Sequence, residues 1–276
     1  SCSTHRMRSA PRCNAPARFP FREPAVWVDP SAGNRCNPFP YRSVCIYLGR
    51  WGQLTEGLTI RDLQDRAKAT REAILAGAAS IFEELGYGRA SLSQVAVRAG
   101  VTKGALYFHF PSKEELARAV IAEQHAFITA DNTAVLERSL PPLESMILIC
   151  RRFAGNLLAE PIVRAGIRLT LEASSFDQDV RQPYSDWVAL MSGLASQAQR
   201  RGQLRDGLDP AGFGQFIVSS LTGVQIVSAV LTERADLLER VEDMWTILLP
   251  GVVTDGLKSQ VPALARYSGA PLGQHS

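Results

Sequence analysis

The side chains in this sequence that can do chemistry form one group at helical spacing and little else. The four histidines, His5, His109, His125 and His275, have no acid or nucleophile at a recognisable catalytic spacing, and there is no phosphate loop or metal motif. Of the five cysteines, Cys2, Cys13, Cys36 and Cys45 fall in the first sixty residues without a CxxC pair or a regular framework. Cys150 stands alone on an apolar stretch, where it reads as a small buried hydrophobe. That usage suits a reducing cytoplasm, and neither a metal nor a cofactor is expected. The exception is the run Thr102, Lys103, Gly104, Tyr107 and His109. Lys103 suits guanine O6 and N7 or a phosphate, and Gly104 lets a backbone approach closely. The Tyr107 phenol and the amides near Thr102 suit phosphate oxygens. A structural helical corner with a solvated lysine is the plainer alternative.

Those residues need a frame. Ile74, Ala78, Ile81, Phe82 and Leu85 recur at helical spacing, and Gly86 supplies a stop. Ser91 with Gln94 reads as a capping box opening a helix whose Leu92, Val95, Ala96 and Ala99 face inward. Gly100 breaks it, and Thr102 caps a second helix running to about His109. Small residues at the crossing (Ala96, Gly100, Ala105) and apolar anchors (Val95, Val101, Leu106) describe a helix-turn-helix, with the second helix free to enter a major groove. Ser112 with Glu115 starts a long helix to about Leu136. Lys113 sits in its first turn, where the helix dipole disfavours a cation, so a nearby phosphate is expected. The candidate DNA-contacting set is Ser91, Thr102, Lys103, Gly104, Tyr107, His109 and Lys113. Further helical patterns cover 139–158, 161–172, 179–201, 210–231 and 234–249, with no strand-like alternation after residue 60. The ordered part is all-α.

Residues 1–60 differ in kind. They hold eight arginines, no lysine, three acids and a scatter of prolines, so the formal net charge of +3 comes from this segment and the rest is slightly acidic. Disorder is expected there; a basic DNA-binding arm and a dispensable extension are both open readings. Bulk charge therefore makes no case for nucleic acid. The early apolar run Val44–Leu48 is too short for a signal peptide. Phe216–Leu231 is interrupted by Ser219, Ser220, Thr222, Gln225 and Ser228 and is shorter than the ~20 residues a span needs. It reads as a buried helix, and no membrane association is expected.

The run Gly100-Val101-Thr102-Lys103-Gly104-Ala105-Leu106-Tyr107-Phe108-His109-Phe110, followed by Lys113-Glu114-Glu115-Leu116, resembles the DNA-binding signature of TetR-family repressors, and within them the γ-butyrolactone autoregulator receptors of the A-factor receptor group. Arg164–Leu169, Asp186-Trp187, Leu221–Gln225 and Met244–Pro250 are similar to segments of that group. Residues 1–60 have no counterpart in it, which favours the dispensable extension. The resemblance implies an N-terminal three-helix DNA-binding domain over 61–111 and a ligand-binding and dimerisation domain over 112–253; the Gly, Pro and Ser that dominate after Pro250 read as a flexible tail over 254–276. Its partners would be double-stranded operator DNA, a small apolar signal and a second copy of the chain.

Most apolar residues of the later helices must be core. Trp187 stands out, because a buried indole N–H needs an acceptor, which a ligand oxygen supplies. The resemblance places Trp187 on the ligand pocket, Gln124 on its polar wall, and Thr222 and Val224 on the pocket-facing part of the penultimate long helix; Gln124 is equally readable as an exposed helix residue. Helices 210–231 and 234–249 mix large apolar with small residues, as a two-fold four-helix dimer interface requires. Three functions follow: a repressor released by a γ-butyrolactone, a relative answering a butenolide, furan or antibiotic, and, with least support, an all-α enzyme.

Overall fold

A computed structural model describes residues 59–172 and 181–269. The expected disorder of residues 1–60 lies outside it but for the last two positions, as does the end of the tail. Among the described residues there is no β-strand, and the helices are α1 (Ile60–Arg89), α2 (Leu92–Arg98), α3 (Lys103–His109), α4 (Lys113–Glu137), α5 (Pro142–Ala159), α6 (Pro161–Leu171), α7 (Arg181–Arg200), α8 (Pro210–Thr232), α9 (Leu237–Val252) and α10 (Val261–Ala265).

The starts are written in local chemistry. Thr59 with Asp62 and Ser91 with Gln94 form reciprocal capping boxes on α1 and α2, while Thr102 and Ser112 accept from the backbone amides of Ala105 and Glu115. Pro142, Pro161 and Pro210 occupy first turns, where a missing N–H costs nothing. Gly86 (φ 73°) breaks the helical path of α1, and Gly100 (φ 66°) makes the turn between α2 and α3.

Two hydrophobic cores result. The smaller packs Ile74, Phe82, Val95, Leu106 and Phe110 from α1–α3 against Leu116, Ala117, Val120 and Ile121 of α4, and also against Ala165 and Leu169 of α6. The expected boundary at 111/112 therefore cuts through a core: the first turns of α4 and one face of α6 belong to the DNA-binding unit. The larger core joins α4–α10 around Met146, Ile147, Leu157, Met191, Leu221 and Trp245. Cys150 is wholly buried within it, and burial pushes its thiol up to about 12.

Two expectations are corrected. Residues 254–269 are not a flexible tail: after a 3-10 turn at Asp255–Gln260, Val261, Leu264, Ala265 and Tyr267 are buried in the larger core. Their anchors are only one to three residues apart among Gly, Pro and Ser, so composition hides them. Nor is α8 buried all round. Phe213, Ile217, Val218, Leu221, Gln225 and Ser228 face inward, while Phe216, Val227, Val230 and Leu231 are exposed.

Candidate DNA-reading face and ligand cavity

The recognition surface is built from α1 upward. Arg98, in the last turn of α2, makes a two-pronged ion pair with Glu84 of α1 (2.9 and 3.0 Å) and also donates to Ser80. The Arg98 guanidinium holds the Glu84 carboxyl below the usual carboxylate range. With α2 fixed, Leu106 seats α3 in the core, and the opposite side of α3 is solvent-facing: Thr102, Lys103, Gly104, Tyr107 and Phe108 are exposed, the last two by 52% and 82%.

The sequence-derived set divides. Lys103, Gly104 and Tyr107 share the outer face. Ser91 and Thr102 are exposed, but their hydroxyls already serve as helix caps, accepting from the Gln94 and Ala105 amides. His109 is half-buried, because one turn before it lies the half-buried Ala105; the place expected for it is taken by Phe108, one turn after Gly104. Its ring meets that of Phe108 edge-on at 5.3 Å.

Lys113 has a different employment from the one expected. Its ammonium donates to the carbonyls of Tyr87 (2.9 Å), Ala90 (3.1 Å) and Gly88 (3.5 Å) and lies 4.4 Å from the centre of the Tyr87 ring. It satisfies the carbonyls left over at the end of α1, so no phosphate is needed to explain a cation in the first turn of α4. The three donors of an ammonium are accounted for by these carbonyls.

A cavity of about 230 Å³ opens between α4, α5, α6 and α7. Gln124, Ile128, Phe153, Ile167, Thr170 and Trp187 are among its walls. Gln124 is only 5% exposed, which removes the alternative of a surface residue. It fits because Gly166 of α6 faces it: a Cβ at 166 would lie 2.4 Å from the Gln124 Cβ. The Trp187 ring packs on Phe153 (centroids 4.8 Å apart), and its buried Nε1 has no hydrogen-bond partner among the described residues. On the partly exposed wall, His125 Nε2 of α4 lies 3.3 Å from Asp186 Oδ2 of α7, and Gln182 donates to the other Asp186 oxygen at 2.7 Å. Sequence spacing hid this pair, since its members are sixty-one positions apart.

Thr222 and Val224 are not in this cavity. The Thr222 hydroxyl donates to the Val218 carbonyl (2.8 Å), and Val224 lines a groove between α8 and α9 with Phe216, Val227, Met244 and Ile247. A helix apolar on every side carries no period from which to read its inner face, and the inner face here is that of Leu221, Gln225 and Ser228.

Between face and cavity lies a polar clamp that sequence reading missed. Arg164 of α6 pairs with Glu83 of α1 and donates to the Leu157 and Leu158 carbonyls (3.1 and 2.9 Å). Arg168 donates to the Glu83 carbonyl (2.6 Å) and to Glu172 (2.8 Å), and Glu172 accepts from the Tyr87 amide (2.7 Å). The spacing of Arg164 and Arg168, one turn apart, was the available signal.

Residues 74–120 match the bacterial regulatory proteins of the tetR family, and residues 140–254 match a tetracyclin repressor-like C-terminal domain. The chain belongs to the tetR family of DNA-binding regulators. Within that family it is similar to the A-factor receptor protein of Streptomyces griseus, 37% identical over 198 residues that cover 72% of this chain and 69% of the relative. A solved γ-butyrolactone receptor described as ArpA-like superposes with a TM-score of 0.63 at 30% identity, covering 72% of this chain and 96% of that one. CprB from Streptomyces coelicolor, in complex with its operator sequence, superposes with a TM-score of 0.62 at 30% identity over the same shares.

Proposed function

We propose that the chain is a homodimeric cytoplasmic repressor that grips an operator with α3 and leaves it when a small lactone enters the cavity between α4 and α7. The observation that carries the ligand half is the Trp187 indole N–H, buried on the cavity wall without an acceptor among the described residues. A buried unpaired donor costs about 1–3 kcal/mol, and a ligand oxygen removes that cost. Ile128, Phe153, Ile167 and Leu190 offer the rest of the wall to an apolar tail. The relatives' designations as A-factor and γ-butyrolactone receptors fit such a ligand: a compact ring with acceptors and an apolar arm. Gln124 supplies a second polar group at the wall.

Release follows from two helices that belong to both cores. The first turns of α4 are seated among α1–α3, and its next turns carry Gln124 and Ile128 into the cavity wall. On α6, Ile167 and Thr170 face the cavity, Ala165 and Leu169 the DNA-binding core, and Arg164 and Arg168 the clamp on α1. A ligand that pushes α4 from α6 shifts the α3 helices of the dimer off a half-site spacing that is a multiple of ~34 Å. The ligand must bind the displaced state more tightly to do so.

The second copy docks on α8 and α9. Phe216, Val227, Val230, Leu231 and Ile247 are exposed there, a set of large apolar side chains on two neighbouring helices of the kind a partner covers. α8 is long and apolar enough by length and composition to cross a membrane; its inner face packs in the larger core, and a two-fold partner covers the outer one.

The test is a titration of a γ-butyrolactone bearing an apolar side chain into the wild type and Trp187→Phe. The variant keeps a ring against Phe153 and loses the donor. Ligand affinity should fall roughly 3–10-fold with operator affinity unchanged, and the melting temperature of the free protein should not fall, since the unpaired donor's cost is removed. Wild-type ligand affinity in Trp187→Phe contradicts the assignment.

A further inference from the structure

Phe108 is the most exposed large hydrophobic side chain of α3, at 82%, and it lies in the last turn of the helix, among its other solvent-facing residues. The core makes no use of it: Leu106 and Phe110 are the aliphatic and aromatic anchors of this segment. Exposing an aromatic ring forfeits the burial it would otherwise gain, so a partner that covers it recovers a sizeable hydrophobic contribution. One turn before it stands Gly104. A Cβ built at 104 would meet only the Thr102 hydroxyl, at 4.0 Å, so the helix has a bare backbone patch beside the ring. Lys103 and Tyr107 flank this pair with polar groups. The result is an apolar step, a notch and a ring, set within an otherwise polar reading surface.

In the major groove only one base edge offers a matching apolar group. Thymine carries a C5 methyl there, and the other three bases present donors, acceptors or a bare C–H. We propose that Phe108 is a specificity-determining residue that packs its ring on the C5 methyl of one thymine in each half-site, with the Gly104 backbone allowing the approach. This rests on α3 being the helix that enters the groove. It differs from the roles of Lys103, which donates to a base or phosphate, and Tyr107, whose phenol suits a phosphate oxygen. Because the methyl is the sole chemical difference between thymine and uracil, the contact can be removed from the DNA side without touching any hydrogen bond of the base pair.

The experiment uses the full-length chain. Half-site sequences are first selected from a random duplex pool with the wild type, and each selected thymine is then replaced in turn by deoxyuridine. One position per half-site should lose about fourfold in affinity, the equivalent of ~0.8 kcal/mol for one buried methyl group. A two-half-site operator substituted at both should lose about fifteenfold. Phe108→Ala should bind the thymine and deoxyuridine operators equally, and selection with it should no longer enrich thymine at that position. Phe108→Leu, which keeps an apolar side chain, should retain part of the discrimination. The ring is exposed, so melting temperatures should match the wild type. The proposal is overturned if no deoxyuridine position weakens the wild type, or if the methyl still matters in Phe108→Ala. It is equally overturned if Phe108→Ala weakens all sequences alike, which would make the ring a backbone contact. Failure of any duplex to be selected would instead count against α3 as the DNA-entering helix, a different result.

Discussion

The two cores of this molecule meet different demands. The smaller one, under α3, buries Ile74, Phe82, Leu106 and Leu116 completely, and polar groups around it are engaged as caps, as the Arg98–Glu84 pair and as the Lys113 clasp. The larger one surrounds a cavity of about 230 Å³, and of its two indole N–H groups without a partner among the described residues, those of Trp187 and Trp245, only the Trp187 group lies on the cavity wall. A unit that must present α3 at a set position gains from dense packing with few alternatives. A unit that must respond to a small molecule needs room and an unmet polar group. On the function proposed above, the difference teaches where a ligand's signal enters: through α7 and the middle of α4, and not through α1–α3.

The largest expected effect breaks the comparison at its packing. Leu106→Ala removes a wholly buried side chain from the smaller core and should cost about 2–5 kcal/mol, with operator binding lost as the melting temperature falls. Leu190→Ala, at a half-buried position on the cavity wall, should cost less than about 2 kcal/mol and leave operator binding near normal, since that wall already adjoins open space. Denaturant melts of both variants check this. Equal losses would mean that the larger core is packed as tightly as the smaller.

A smaller effect sharpens the comparison at the seam. Arg168 ties α6 to the Glu83 carbonyl and to Glu172, with no part in the reading face or the cavity wall. Arg168→Ala should leave both the operator and the lactone affinities within about twofold while weakening their mutual effect by ~0.5–2 kcal/mol. Measuring operator affinity with and without saturating lactone gives that number. An unchanged ligand effect assigns the clamp to stability alone.

The smaller core and its face were largely legible in the sequence because their chemistry is local. Ser91 with Gln94, Thr102 before Lys103 and Gly100 at the turn are signals spanning three or four residues, and the structure realises each. Phe108 was missed because the outward place was given to His109, one residue on, and a shift of one position turns a helical side chain by about 100°. Lys113 was misread because its acceptors, the carbonyls of Tyr87 to Ala90, end another helix more than twenty residues earlier. The cavity was only half legible. Trp187 carried its own signal, a polar atom on an apolar ring; Thr222 and Val224 lay on a helix whose all-round apolarity conceals its inner face. The packed segment after Asp255 and the His125–Asp186 pair depend on contacts that no short spacing records.

The central claim is that one protein cannot hold its operator and its ligand equally well together. It is tested most directly by measuring the affinity of a γ-butyrolactone with an apolar side chain for the free dimer and for the operator-bound dimer. Coupling is reciprocal, so the lactone should bind the operator-bound protein more weakly by the same factor by which it weakens operator binding, at least five-fold for a coupling above about 1 kcal/mol. Equal lactone affinity in the two states would contradict the account, however tightly the lactone bound.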